Sequence, residues 1–263
     1  MKVFSIFNMS GGVGKSTLTM NLSYHLEQEI GLKTLAIDMD PQASLTTFMG
    51  LDPFAEETTI LESLLQAMPL NIVSSEELWC DLAPSNIYLS QAELQLSALM
   101  RREYRLAEAI AKTKDYDLVL IDCPPSLGLL SINCLVATDY LLVPTQTEYK
   151  SVEATTNLLQ VTLDLNQQAN GNLKVLGAIP TMYDERTTQG RRALEAIQFL
   201  FSEIKISERF GDCFTLSQVF DPIPRRTDFS NAQEQHLPLA LYNSGHPALA
   251  PLRLIANQIA TVL

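Results

Sequence analysis

Ten consecutive residues near the N-terminus, Asn8-Met9-Ser10-Gly11-Gly12-Val13-Gly14-Lys15-Ser16-Thr17, combine three glycines, one lysine and three hydroxyls. Glycines adopt torsions that other residues avoid, so successive backbone N–H groups can turn inward around phosphate oxygens. A helix starting at the end of such a loop adds partial positive charge. Lys15 can then meet terminal phosphates, and the Ser16 hydroxyl can ligate magnesium. The usual eight-residue phosphate-loop pattern opens with glycine, and this chain has Met9 there. Two further segments carry acids. Asp38 and Asp40, in Ile37-Asp38-Met39-Asp40-Pro41-Gln42, are carboxylates one residue apart, suited to positioning magnesium-bound water and a nucleophile. Asp122 follows the apolar run Leu118-Val119-Leu120-Ile121 and precedes Pro124-Pro125, the expected place for a second magnesium-linked acid. Together the three segments point to a magnesium-dependent nucleotide hydrolase.

These groups need a scaffold that brings them together. Short apolar runs at Val3–Phe7, Thr34–Ile37, Leu118–Ile121, Tyr140–Val143 and Val175–Ile179 read as strands. Helical patterns lie near 15–29, 59–67, 90–112, 151–167 and 188–203, and Leu18, Leu22, Leu26 and Ile30 form one apolar stripe. The strands are continuously apolar rather than alternating, as when helices cover both faces of a parallel sheet. The expected fold class is α/β, a single doubly wound domain over 1–263 with a mostly parallel sheet. The segment from Asp52 to Pro84 reads as an irregular surface decoration. In such sheets ligands sit beyond the carboxyl ends of the strands, where all three segments fall.

The 263 residues are 46% hydrophobic and 18% charged, which excludes a disordered chain. No apolar run approaches the roughly 20 residues of a membrane span. The N-terminus lacks the apolar region and cleavage site of a signal peptide, so a cytoplasmic location is expected. A net charge of −12 excludes a general polyanion binder, yet residues 186–226 hold seven basic and five acidic side chains. Cys80, Cys123, Cys134 and Cys213 have no paired spacing and read as buried thiols.

The chain resembles the ParA/MinD family of deviant phosphate-loop ATPases. The resemblance runs along nearly its whole length, through Leu82-Ala83-Pro84-Ser85-Asn86, Leu89–Leu94, Val143–Glu148, Pro180–Arg186 and Ile223-Pro224-Arg225-Arg226. It implies ATP and Mg2+ as cofactors, an ATP-bound sandwich homodimer, binding to nonspecific double-stranded DNA, and hydrolysis stimulated by a cargo-adaptor protein. By the same resemblance, Gly11, Gly12, Val13, Gly14, Lys15, Ser16 and Thr17 form the phosphate loop, and Gln42 belongs to the Asp-x-Asp-Pro-Gln segment beside it. Asp40 is the first choice for orienting the attacking water, with Asp38 and Asp122 linked to magnesium, although the roles of Asp38 and Asp40 are exchangeable. Pro180, Thr181 and Met182, with the loop near Phe220–Pro222, are candidate adenine contacts. Arg191, Arg192, Arg225 and Arg226, together with Arg253, are candidate DNA contacts, which would place the protein on the nucleoid.

One departure matters. The family's signature lysine is replaced by Ser10, and in this the chain resembles the McdA subgroup, a resemblance that implies distribution of carboxysomes. A cation from elsewhere is then expected at the phosphates. Lys2, Lys33, Lys112, Lys114 and Lys174 precede strands, and Lys205 falls in the basic segment. Lys150 follows the strand Tyr140–Val143 by a short loop and is the candidate. Competing classes are a plasmid or chromosome partitioning ATPase, a membrane-associated regulator of the MinD kind, and a metabolic enzyme such as an amide-forming ligase. The membrane reading needs a basic amphipathic C-terminal helix, whereas Leu252, Ile255, Ile259 and Val262 make a stripe suited to core packing, with Arg253 as the only nearby charge.

Overall fold

A computed structural model describes residues 1–55, 59–66, 68–206 and 212–263, with the side chains of 149 and 204–206 left aside, so Ala67, part of the basic segment and the Lys205 side chain lie outside the described residues. Seven described strands form one sheet: β1 (Lys2–Ile6), β2 (Thr34–Asp38), β3 (Asp81–Ala83), β4 (Leu118–Asp122), β5 (Tyr140–Gln146), β6 (Lys174–Thr181) and β7 (Gln218–Val219). Their order is β3-β2-β4-β1-β5-β6-β7, and every pairing is parallel. This order sets the ends of β2, β4 and β1 side by side, although their sequences are far apart.

Eleven described α-helices connect the strands: α1 (Lys15–Tyr24), α2 (Ser44–Phe48), α3 (Ile60–Gln66), α4 (Leu89–Ser97), α5 (Arg105–Lys112), α6 (Leu129–Ala137), α7 (Tyr149–Gln168), α8 (Thr188–Ile206), α9 (Asp228–Glu234), α10 (Leu239–Tyr242) and α11 (Leu249–Thr261). Adjacent residues of each strand feed different cores. Val119 and Ile121 join Leu64, Leu96, Leu106, Leu135, Leu159 and Ile197 on one face. Leu118 and Leu120 join Leu18, Leu22, Leu26, Leu252, Ile255 and Ile259 on the other. A fully buried leucine or isoleucine contributes about 1.5–3 kcal/mol, so both layers gain from the same strand. The continuous apolar strands are thus a doubly covered parallel sheet. The C-terminal stripe is core packing, and among the described residues no helix is long and apolar enough to cross a membrane.

Three expectations need correction. The helix expected over 90–112 breaks after α4, where Arg101 adopts a left-handed φ of 56°. Asn133 of α6 replaces the missing helical bonds, donating to Arg102 O at 2.8 Å and accepting the Leu106 N–H at 3.1 Å. The segment from Asp52 to Pro84 is no mere decoration. It supplies α3 and the edge strand β3, and the buried Trp79 indole donates to Ser23 Oγ at 2.9 Å. Finally, α1 continues past Tyr24 as a π-helical stretch, His25–Ile30, which keeps Leu26 buried.

Candidate functional site: a phosphate loop beside buried carboxylates

The loop after β1 is anchored before it turns. Asn8 is fully buried, donates through Nδ2 to Pro144 O at 2.7 Å and accepts the Ser10 N–H on Oδ1 at 2.9 Å. Gly12 and Gly14 then take φ values of 72° and 91°, the left-handed region in which a side chain is strained. Gly14 caps α1, whose first hydrogen bond runs from Leu18 N–H to Gly14 O at 2.9 Å. Lys15, only 6% exposed, folds back so that Nζ donates to Ser10 O at 2.9 Å and Asn8 O at 3.2 Å. Burial lowers its pKa, and the Asp122 charge opposes that most strongly.

Across the neighbouring strands, Asp38 and Asp122 are Cα partners in the β2–β4 register. Both are fully buried. Asp38 is well satisfied. Its Oδ2 accepts the Thr46 N–H at 2.9 Å and the Thr46 hydroxyl at 2.8 Å, and its Oδ1 accepts the Asp40 N–H at 3.1 Å. Burial nevertheless pushes its pKa up to about 6. Asp122 differs: neither carboxylate oxygen has a hydrogen-bond partner among the described residues. Burial, and then the Asp38 charge, push its pKa well above the usual range, while the Ser16 hydroxyl and Lys15 act the other way. Asp40 lies nearer the surface at 9% exposed, with Oδ1 accepting the Gln42 N–H at 2.9 Å. An all-oxygen donor set with orphaned carboxylate oxygens beside a hydroxyl suits a hard dication such as magnesium.

On the other side of β1, a cavity of about 320 Å³ adjoins the loop. Its lining includes Val13, Gly14 and Thr17 from the loop region, Thr181 and Met182 from the end of β6, and the stretch Ile223–Thr227. Thr181 Oγ1 donates to Val13 O at 2.9 Å, which fixes this wall to the phosphate loop. From α9, Gln233 Nε2 donates to Thr17 Oγ1 at 2.7 Å. Of the expected adenine contacts, Thr181 and Met182 line this cavity and the others do not. Pro180 lies behind the wall, where its carbonyl accepts the Ile223 N–H at 2.8 Å. Phe220 is buried in the core, and Asp221 and Pro222 line a separate cleft of about 590 Å³. The segment after β7 runs on beside the end of β6, with the Ile223 N–H on Pro180 O and the Arg225 N–H on Tyr183 O, and this carries Ile223–Thr227 along the cavity wall.

The basic candidates fall into two settings. Arg225 and Arg226 are exposed and line the cavity, and Arg226 also borders the separate cleft. Arg191 and Arg192 are exposed on α8, with Arg191 Nη1 donating to the Glu185 carbonyl at 2.7 Å on the rim of that cleft. Arg253 instead makes two 2.8 Å bonds to Glu29, whose pKa these bonds hold down near 2. Lys150 stands exposed in the first turn of α7, at the same end of the sheet as the phosphate loop. Sequence reasoning missed Thr46 and Gln233, which no motif announces, while Ser85 stood unremarked inside a quoted motif.

A family model described as an AAA domain matches residues 1–175. The sporulation initiation inhibitor protein Soj of Bacillus subtilis is 34% identical over 245 residues, covering 92% of this chain and 91% of its own. A Mycobacterium smegmatis structure described as cobyrinic acid a,c-diamide synthase with bound ADP and magnesium is 34% identical. It covers 94% of this chain and 97% of its own, with a TM-score of 0.74. A Cyanothece McdA variant in complex with ATP superposes with a TM-score of 0.83 at 25% identity, covering 99% and 96%. With the phosphate loop, the acid-tipped parallel strands and these relatives agreeing, the chain belongs to the ParA/MinD family of ATPases.

Proposed function

We propose that this chain is a magnesium-dependent ATPase, working as one domain, that closes into a homodimer on ATP, binds nonspecific DNA of the nucleoid and positions an intracellular cargo through an adaptor protein. The observation that carries the catalytic part is the phosphate loop set beside two in-register buried carboxylates, one of them without partners. Lys15 and the loop amides would hold the phosphates, with Ser16, Asp38 and Asp122 facing magnesium. When bound, the metal would offset charge on the phosphate oxygens. Asp40, less buried than Asp38, would orient a water. The cavity beyond Val13 would take the nucleoside.

The cargo we propose is the carboxysome, on the strength of Ser10 and the close superposition on McdA. Lys150 then supplies the cation that Ser10 lacks, acting on the phosphates of its own or the partner nucleotide. Partition of a plasmid or chromosome is the second reading, favoured by the similarity to Soj and to the chromosome partitioning protein ParA of Caulobacter vibrioides. Affinity capture of the ATP-locked form from its native cell separates the two. Carboxysome components support the first, and a centromere-binding protein the second. Turnover that needs a carboxylic acid and an amine donor, and is indifferent to DNA, would point to an amide ligase instead. A steep fall of ATP-dependent DNA binding with added salt is expected if Arg191, Arg192, Arg225 and Arg226 neutralise phosphates.

A further inference from the structure

Asp38 and Asp40 belong to a closed ring of hydrogen bonds that reaches across three segments. The Asp40 N–H donates to Asp38 Oδ1 at 3.1 Å, and the Thr46 hydroxyl donates to Asp38 Oδ2 at 2.8 Å. Having spent its one proton there, Thr46 Oγ1 accepts the Ser85 N–H at 3.0 Å. The Ser85 hydroxyl closes the ring by donating to Asp40 O at 2.8 Å. Asp38, Thr46 and Ser85 are each buried, and Thr46 also gives its own N–H to Asp38 at 2.9 Å. The N–H groups can only donate and the Asp38 carboxylate and Asp40 carbonyl accept, so the direction of every bond is fixed. The loop holding Ser85 is itself pinned, since Pro84 O accepts the Ile60 N–H of α3 at 2.9 Å.

We propose that Thr46 and Ser85 are positioning residues of the hydrolytic site, which grip the Asp40 backbone from both ends, Thr46 through Asp38 and Ser85 directly, and so set where the Asp40 carboxylate points. This rests on the ATPase reading above. It assigns Asp38 a duty besides facing magnesium: it is the node through which α2 and the β3–α4 loop hold Asp40. Nucleotide binding rests chiefly on the loop after β1, whereas the ring acts on the orientation of a reacting water, so its loss should fall on turnover more than on affinity.

The test compares the full-length parent with Thr46→Val, Thr46→Ser and Ser85→Ala. Steady-state ATP turnover, the affinity of a fluorescent ATP analogue and amide hydrogen exchange of the nucleotide-free protein are measured on each. Losing one buried hydrogen bond to a charged group is expected to lower kcat about tenfold to thirtyfold in Thr46→Val, with analogue affinity within about twofold. Exchange at Asp40 and Ser85 should quicken while the interior of β2 stays protected. Thr46→Ser keeps the hydroxyl and should recover most of the turnover, and Ser85→Ala should show a smaller loss of the same kind. Parental turnover in Thr46→Val, a loss that tracks analogue affinity, or no recovery in Thr46→Ser overturns the proposal. Should Thr46→Val fail to fold, Ser85→Ala decides it by the same criteria. A parent without magnesium-dependent turnover refutes the ATPase reading instead, and the exchange measurements still report whether the ring holds Asp40.

Discussion

The two sides of β1 are built on opposite principles. Toward β4 and β2 the chain buries Asp38 and Asp122 in register and leaves the Asp122 oxygens without a hydrogen-bond partner among the described residues. Toward β5 and β6 it offers a cavity with Val13, Met182 and Ile223 in its walls, with its polar groups tied to one another, as Thr181 is to Val13. The first side is electrostatically costly without a bound dication, because each buried charge is desolvated and repels its neighbour. The second is an ordinary packed wall. Removing a group should therefore stabilise the nucleotide-free protein on one side and destabilise it on the other.

The largest effect is expected at the junction of the two sides. Lys15→Ala removes the loop's only side-chain cation and should weaken ATP binding at least about a hundredfold, read by calorimetry, since a charge-assisted contact in a dry site is worth several kcal/mol. Unchanged affinity would mean that the loop does not hold phosphates. Next, Asp40→Ala should keep ATP but slow turnover about a hundredfold, so that ATP-bound dimer accumulates in light scattering. Parental turnover there, with a loss in Asp38→Ala, would exchange the two roles. On the cavity side, Ile223→Ala should destabilise the fold by about 2–4 kcal/mol and raise the KM for ATP with little change in kcat.

The smallest effect has the opposite sign. Asp122→Asn should raise the melting temperature of the nucleotide-free protein by about 2–6 °C, even as it damages turnover, because an amide escapes the desolvation of a buried carboxylate. A pH series sharpens this. Raised carboxyl pKa values mean that the folded protein binds more protons than the unfolded chain from the usual aspartate range up to about 6 for Asp38, and higher for Asp122. Their contribution to stability therefore falls as pH rises through that window. Subtracting the Asp122→Asn curve from the parent curve reports Asp122 together with its coupling to Asp38, and a flat difference would show that Asp122 carries no such burden.

The carboxylate side was legible from the sequence because its residues sit in contiguous motifs at the ends of strands with strong apolar runs. Asp122 was found by its place after Leu118–Ile121, and the sheet order then made it a neighbour of Asp38. The cavity side was read less well. Its far wall comes from Ile223–Thr227, most of which was read as a motif but not as part of a cavity, and from Gln233, which no motif announces. The strands β3 and β7 span only three and two residues, too short for any apolar period to show. Thr46 and Asn133 lie outside recognisable motifs because their partners are distant in sequence and chosen by tertiary packing.

The register that pairs Asp38 with Asp122 also acts as a ruler. Neighbouring parallel strands are held about 4.8 Å apart by their hydrogen bonds, and both acids are the last residues of strands with fully buried interiors. Their separation is therefore a property of the scaffold and stays the same whatever occupies the site. A change at the nucleotide would therefore have to be carried by chain beyond the two acids, such as the loop from Pro124 to Gly128, and not by a change in their spacing.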